Sequence, residues 1–381
     1  MRQFLVMLPG PTNVPERVYR AMMRPLISHR GPEFREIYAR IVENTRYAFQ
    51  TSGHVIVLTC SGTGGVDCAV GNVIKPGDKV LAPTFGVFSE RMAEAARRRG
   101  ADVIEVPIEW GSAPRASDLE PFFSKGDIKA VCIVYNDTST GVTARELPKI
   151  CELAHENGAL VLVDAVSILG GDDLPVDKWG VDVCVTGSQK CLACPPGLAL
   201  VSVSEEAWRA IEENPNRPFY FDLVRAREFY EERHETPFTP AIPLFYALDE
   251  ALIMLREEGL EARFKRHARC ARAFYSAMEV LGLRAFPEPE WRSNTVIAVR
   301  APDGIGPSEL RSIMKERFGI LVAGGMGKIR EQIFRIGCMG VISAREVLLT
   351  ISALGASLNQ LGYKADTQEA LGAASRELGL A

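Results

Sequence analysis

The sequence predicts an α/β protein: a large domain on a mostly parallel seven-stranded sheet, followed by a smaller C-terminal α+β domain. Three observations carry this. Short Val/Ile/Leu runs alternate with segments of helical period, the pattern of a parallel sheet covered by helices. Two of the runs, 160–164 and 181–187, have the unbroken apolar character of strands buried on both faces, and they lead into ionisable residues, Asp164 and Lys190. With 381 residues, 47% of them hydrophobic, the chain can bury one large core and a second smaller one.

The strands of the large sheet are expected at 54–59, 79–83, 102–106, 130–135, 160–164, 181–187 and 198–203. A helix over 65–73 follows the first of them. The segment 144–157 places Leu147, Ile150, Cys151 and Ala154 on one face, with Gly158 where a C-cap belongs. A longer helix over 243–258 carries Leu244, Ala247, Leu248, Ala251 and Leu255 on one stripe and leads out of the large domain. A charged stretch, 256–272, comes next. The small domain is expected to hold a strand at 294–299, a helix at 308–318 ended by Gly319, strands at 320–323 and 333–336, and a helix at 343–361. The divisions are thus an N-terminal segment 1–15, a large domain 16–256, a small domain 257–364 and a tail 365–381, whose Ala, Gly and Glu content predicts a frayed helix or disorder.

The formal net charge is -4 with no long block of one sign, so neither a nucleic-acid backbone nor an anionic membrane is an expected partner. Apolar runs fall far short of the ~20 residues needed to cross a bilayer. The first residues are too short for a signal peptide, and a cytoplasmic protein is expected. Nine cysteines, several inside apolar runs, fit a reducing compartment. Cys191 and Cys194 form a C-x-x-C without a second pair or a nearby histidine, so no metal site is expected and the two thiols are placed beneath the lysine loop.

Open α/β sheets hold ligands at the carboxyl ends of their strands, where Asp164 and Lys190 fall. A carboxylate there needs a cationic or hydrogen-bonding partner, such as a protonated pyridine nitrogen. A desolvated lysine is a nucleophile that an aldehyde cofactor captures as a Schiff base. Singly, such residues are commonly an N-cap and a solvated charge; together they read as a pyridoxal phosphate site. Pro195, Pro196 and Gly197 hold the lysine on a constrained loop. Ser61-Gly62-Thr63-Gly64-Gly65, between a strand and a helix, offers a phosphate cradle, although it is neither a Walker A loop nor a G-x-G-x-x-G motif.

Taken in order, Met7 to Pro15, Ser61 to Gly65, Asn136-Asp-Thr-Ser-Thr-Gly-Val142, Val163-Asp-Ala-Val-Ser167, Gly187-Ser-Gln-Lys190, Pro195 to Gly197 and Arg335-Ile-Gly337 spell a family. Over roughly residues 7 to 362 the chain resembles the class V aminotransferases of pyridoxal phosphate fold type I, nearest in look to the alanine:glyoxylate and serine:pyruvate (serine:glyoxylate) group. The resemblance implies that Lys190 holds the cofactor and moves the proton, and that Asp164 keeps the ring nitrogen protonated. Phe88 and Val166 would pack on the two ring faces, and Thr138 would contact the ring oxygen. Gly64, Gly65 and Gln189 would hold the phosphate, with Thr239 arriving from the second subunit of a homodimer. Gly65 and Thr236 stand where some relatives carry histidine and tyrosine. Arg335 would grip the substrate carboxylate through a two-pronged pair.

The implied reaction passes an amino group from a small amino acid, alanine or serine, to glyoxylate or pyruvate in two half-reactions. Because Lys190 must be neutral to take a proton, activity is expected to fall in acid. A small pocket near Gly10 and Pro11 favours these donors, whereas His29-Arg30 offers charge for a second acidic group. Aspartate, ureidoglycine, an aminophosphonate or pyridoxamine therefore remain open as donors. A lyase of the cysteine desulfurase type needs a nucleophilic cysteine on the loop 324–332, which has none.

Overall fold

The computed structural model describes residues 4–124 and 126–380. Its central sheet has seven strands in the order His54–Leu58, Ala199–Val203, Val183–Gly187, Leu160–Asp164, Ile128–Val134, Lys79–Thr84, Asp102–Pro107. Only Ala199–Val203 runs antiparallel to its neighbours. The other six therefore point their carboxyl ends the same way. Five of these ends deliver, in turn, Ser61, Phe88, Asn136 to Thr138, Asp164 to Val166, and Gln189 with Lys190 to one edge of the sheet.

All seven expected strands are present, with ends displaced by a residue or two. The helix expected over 144–157 runs from Leu147 to Glu156, because Val142–Thr143 first pairs with Asn136–Asp137 in a short hairpin and Pro148 suits only a first turn. Gly158, at φ +72, closes it as expected. The helix after the first strand starts earlier than expected, at Gly62, capped by Ser61.

A second apolar core gathers Phe274, Ile297, Val299, Phe334, Ile336 and Leu354 around a three-stranded antiparallel sheet. The expected strand 320–323 splits in two: Ile320–Leu321 pairs with the N-terminal Leu5–Val6, and Ala323–Gly324 pairs with Ile333–Gly337. Met7 thereby joins the second core. A Cβ on Gly337 would lie 1.9 Å from the carbonyl oxygen of Leu8, so glycine is what lets the N-terminal segment cross there toward the site. The charged stretch 256–272 belongs largely to one long helix, Leu260–Val280. The tail is neither frayed nor disordered: Asp366 caps a helix Thr367–Leu378 that buries Ala370, Ala374 and Leu378 in the second core. Close packing comes from its buried alanines and from Gly355 of the helix Ala344–Gln360, where a Cβ would strike Thr367. Ala381 lies outside the described residues.

Candidate active site

The converging strand ends enclose a cleft of about 180 Å³ lined by Ser61, Gly62, Thr63, Phe88, Arg91, Asn136, Thr138, Asp164, Val166, Gln189 and Lys190. Lys190, Asp164, Phe88, Thr138, Val166 and Gln189 therefore meet there. Gly10 and Arg335 are not among the lining residues but touch them, Gly10 against the Lys190 side chain and Arg335 at the Thr138 carbonyl. Gly64 and Gly65 stand one step back in the helix, and Thr239 is exposed in a separate groove with Tyr220, Phe238 and Pro240.

Lys190 is buried, and its ammonium donates to the carbonyl of Pro9. Burial pushes its pKa down to about 8, and among the described residues it forms no ion pair. The chain at Gly10 crosses directly over it. A Cβ at Gly10 would sit 2.4–2.5 Å from the end of the lysine, and the backbone there has φ +95, so only glycine fits. Asp164 is buried too. One carboxylate oxygen accepts the amide of Val166 at 2.8 Å and the other has no protein partner among the described residues; burial lifts the pKa to about 6. A ring N–H placed against that oxygen would restore the ionised form.

The cradle is the start of the helix Gly62–Val73, whose first amides have no partner inside the helix. Gly64 gives its amide to Ser61 Oγ at 3.3 Å and Gly65 to the Ser61 carbonyl at 3.1 Å. Gly65 also has a packing reason to be glycine, since a Cβ would strike Val185 and Ala199 of the sheet. Gly62, by contrast, lines the cleft with no space for a Cβ beside Val166. The side-chain oxygen of Gln189 is buried without a partner. The expected phosphate donors Gly64 and Gly65 thus already give their amides to Ser61, which leaves the amides of Gly62 and Thr63, without a partner among the described residues, and the half-bonded carboxylate of Asp164 as the groups that suit a phosphorylated pyridine.

Arg335 stands in the middle strand of the small sheet between Ala298 and Ala323, small neighbours that leave space for its guanidinium. Nε donates to Gly324 O at 2.8 Å and Nη1 to Thr138 O at 2.7 Å. It is buried, faces no carboxylate within ion-pair distance among the described residues, and its pKa is pushed down to about 10 by burial. A buried guanidinium in that condition is a receptor for an anion.

Two residues escaped the sequence reading. Asp137 is fully buried and accepts the amides of Phe88, Ser89 and Ser139 and the hydroxyls of Ser89 and Ser139. It thus caps the helix Val87–Arg98 and fixes Phe88, and a Cβ on Gly86 would lie 2.3–2.5 Å from its carboxylate. A lone aspartate in a polar loop carries no signal of this. Arg91, one turn beyond Phe88, stacks its guanidinium 4.7 Å from that ring and donates to Thr63 Oγ1 at 3.2 Å. Its spacing from Phe88 was a usable signal. Arg30 bonds Glu235, a carboxylate it shares with Arg35, and the carbonyls of Thr236 and Pro237, and it does not line the cleft.

Fold and site together define an aminotransferase, and comparison with known proteins agrees. Residues 8–334 match the model of the family described as aminotransferase class-V, and the chain belongs to that family. It is 42% identical to an uncharacterized aminotransferase of Methanocaldococcus jannaschii over 94% of each chain. It is 36% identical to a serine--glyoxylate aminotransferase of Methylorubrum extorquens, covering 97% of this chain and 95% of that one. The crystal structure of the ureidoglycine-glyoxylate aminotransferase of Bacillus subtilis superposes with a TM-score of 0.94, at 32% identity, over 99% and 98% of the two chains.

Proposed function

We propose that the protein is a pyridoxal phosphate-dependent transaminase that moves the amino group of alanine or serine to glyoxylate or pyruvate. One observation carries this: the depressed amine of Lys190 and the half-bonded Asp164 share a cleft with Thr138, whose carbonyl accepts from the guanidinium of Arg335, a cation without a carboxylate partner among the described residues. The chemistry the cofactor supplies is an aldehyde carbon for amine exchange and a protonated ring that accepts an electron pair.

The chain's own residues do the rest. Asp164 accepts the ring N–H and keeps the nitrogen protonated. Phe88, Val166 and Thr138, all lining the cleft, would hold the cofactor ring. The amides of Gly62 and Thr63 at the helix start, with the side-chain NH2 of Gln189, would hold the phosphate. Arg335 clamps the substrate carboxylate in two parallel hydrogen bonds, and Lys190, neutral above pH about 8, takes the proton from the substrate Cα and returns it on the far side of the exchange.

Support for small donors comes from Arg30, which is tied to Glu235 and two backbone carbonyls and is not among the residues lining the cleft. One observation favours a second donor class: Arg91 lines the cleft without a carboxylate partner among the described residues, and it suits aspartate or an aminophosphonate. We also infer a homodimer in which Thr239 completes the phosphate site of the other copy; its exposure beside the exposed aromatics Phe219 and Tyr220 supports this. A cytoplasmic setting agrees with nine free cysteines, and no helix among the described residues is long and apolar enough to cross a membrane.

The test adds single amino acids to the cofactor-loaded protein and follows the visible absorbance of the aldehyde form. Loss of that band with alanine or serine, restored by glyoxylate or pyruvate, establishes the reading. Conversion by aspartate or an aminophosphonate, abolished in Arg91→Met, establishes the second class. A band that no amino acid changes overturns the transaminase assignment.

A further inference from the structure

The charged stretch 256–272 is not a solvated face. Glu258 ends one long helix, Gly259 turns the chain at φ +80, and Leu260–Val280 begins at once. Arg263, in the first turn of that second helix, is only 3% exposed. Its Nε donates to Gly170 O at 2.9 Å, Nη1 to Glu258 at 2.8 Å and Nη2 to Cys191 O at 2.5 Å. Gly170 lies in the turn that follows Asp164, and Cys191 follows Lys190. The same Glu258 carboxylate also holds Arg266, at 2.6 and 2.9 Å. Arg266 in turn donates to Gly340 O at 3.2 Å and Ile342 O at 2.6 Å, in the turn after the strand that carries Arg335.

One carboxylate and two guanidiniums thus hold the backbone behind each of the three charged groups of the cleft. We propose that Glu258, Arg263 and Arg266 are positioning residues that set the mutual placement of Lys190, Asp164 and Arg335; this rests on the reading of the cleft given above. The chemistry of the side chains supports it. A planar guanidinium serves two carbonyls and a carboxylate in fixed directions, which an ammonium on a flexible stem does not. For folding alone a buried ion cluster of this kind is often matched by apolar residues of equal volume, whereas geometry at a reacting centre rewards fixed directions.

Arg263→Lys tests the proposal. Hydrogen exchange in the cofactor-free chain should quicken severalfold over 165–171 and 191–194 and stay unchanged in the strand Ile128–Val134. In the loaded enzyme the donor half-reaction should slow roughly tenfold to a hundredfold with little change in KM. Arg266→Gln should show the opposite split, a raised KM with kcat nearly kept, because the turn behind Arg335 is loosened. The control is Arg40→Lys, which weakens a partly buried pair with Asp249 at 2.6 Å at a residue that makes no bond to any of these loops among the described residues; it should lower the thermal midpoint without either effect. Wild-type exchange in Arg263→Lys, quickening spread evenly over the chain, or the same kinetic loss in Arg40→Lys would overturn the proposal. Should Arg263→Lys not fold, Glu258→Gln keeps the volume and is read by exchange over 165–171 and 338–342, where no change would be equally decisive. The exchange arm needs no cofactor, so it separates failure of this proposal from failure of the site assignment.

Discussion

Replacing Arg335 by glutamine separates substrate recognition from folding. The guanidinium is buried, and its pKa of about 10 against an ordinary 12.5 corresponds to roughly 3 kcal/mol of unfavourable desolvation. Its bonds to Gly324 O and Thr138 O, donated by a charged group, offset this with roughly 1.5–3 kcal/mol each, so their joint loss leaves folding stability within about 3 kcal/mol of wild type. The effect on a carboxylate ligand is much larger. Two charge-assisted hydrogen bonds at roughly 1.5–3 kcal/mol each make about 3–6 kcal/mol, or a fall of roughly 10²–10⁴ in kcat/KM for an amino-acid donor. The assay compares the donor with an amine of the same carbon skeleton lacking the carboxylate. Arg335→Gln should erase the preference for the carboxylate and leave the poor reaction of the bare amine nearly unchanged. An equal fall for both, or a preference within threefold of wild type, would refute the assignment of Arg335.

Other consequences follow from the same geometry. Because burial lowers the Lys190 pKa from 10.5 to about 8, the unfolded chain binds more protons between those values, and this group's penalty on folding persists below pH 8 and fades as pH rises to 10.5. Cofactor-free Lys190→Met should therefore melt higher than wild type at pH 7, with the gap closing by pH 10.5; a gap independent of pH contradicts this. Asp164 titrates oppositely: its pKa is raised from 3.8 to about 6, so its penalty is absent below pH 3.8 and complete above pH 6. Pyridoxal phosphate uptake, which uses the ionised carboxylate, should weaken below about pH 6, and Asp164→Asn should remove that dependence while lowering affinity at pH 7. Gly86→Ala, whose Cβ would collide with Asp137, should weaken cofactor binding by loosening the helix start that carries Phe88. Fluorescence titration with the cofactor reads this directly, and wild-type affinity would show that the Asp137 cap is dispensable.

The sheet was legible because buried parallel strands are written as unbroken apolar runs, and Asp164 and Lys190 stood out as charges at the ends of such runs. What stayed hidden depends on distant partners. Arg263 and Arg266 look like any solvated helix charge until the turns at Gly170, Cys191 and Gly340 are folded against them. Asp137 is another such case, since its five donors come from its own turn and from a helix some fifty residues earlier. The tail misled through composition, because its alanines signal disorder in isolation but pack into the second core once neighbouring helices are present. Thr239 has no role that one chain can show.

The central claim is that Lys190 is the amine that captures pyridoxal phosphate, and borohydride reduction of the loaded protein followed by peptide mass mapping tests it most directly. The account predicts one stable pyridoxyl phosphate adduct per chain, on Lys190, absent after prior conversion with a competent amino donor. An adduct on another lysine, or none in protein that has taken up the cofactor, would contradict it.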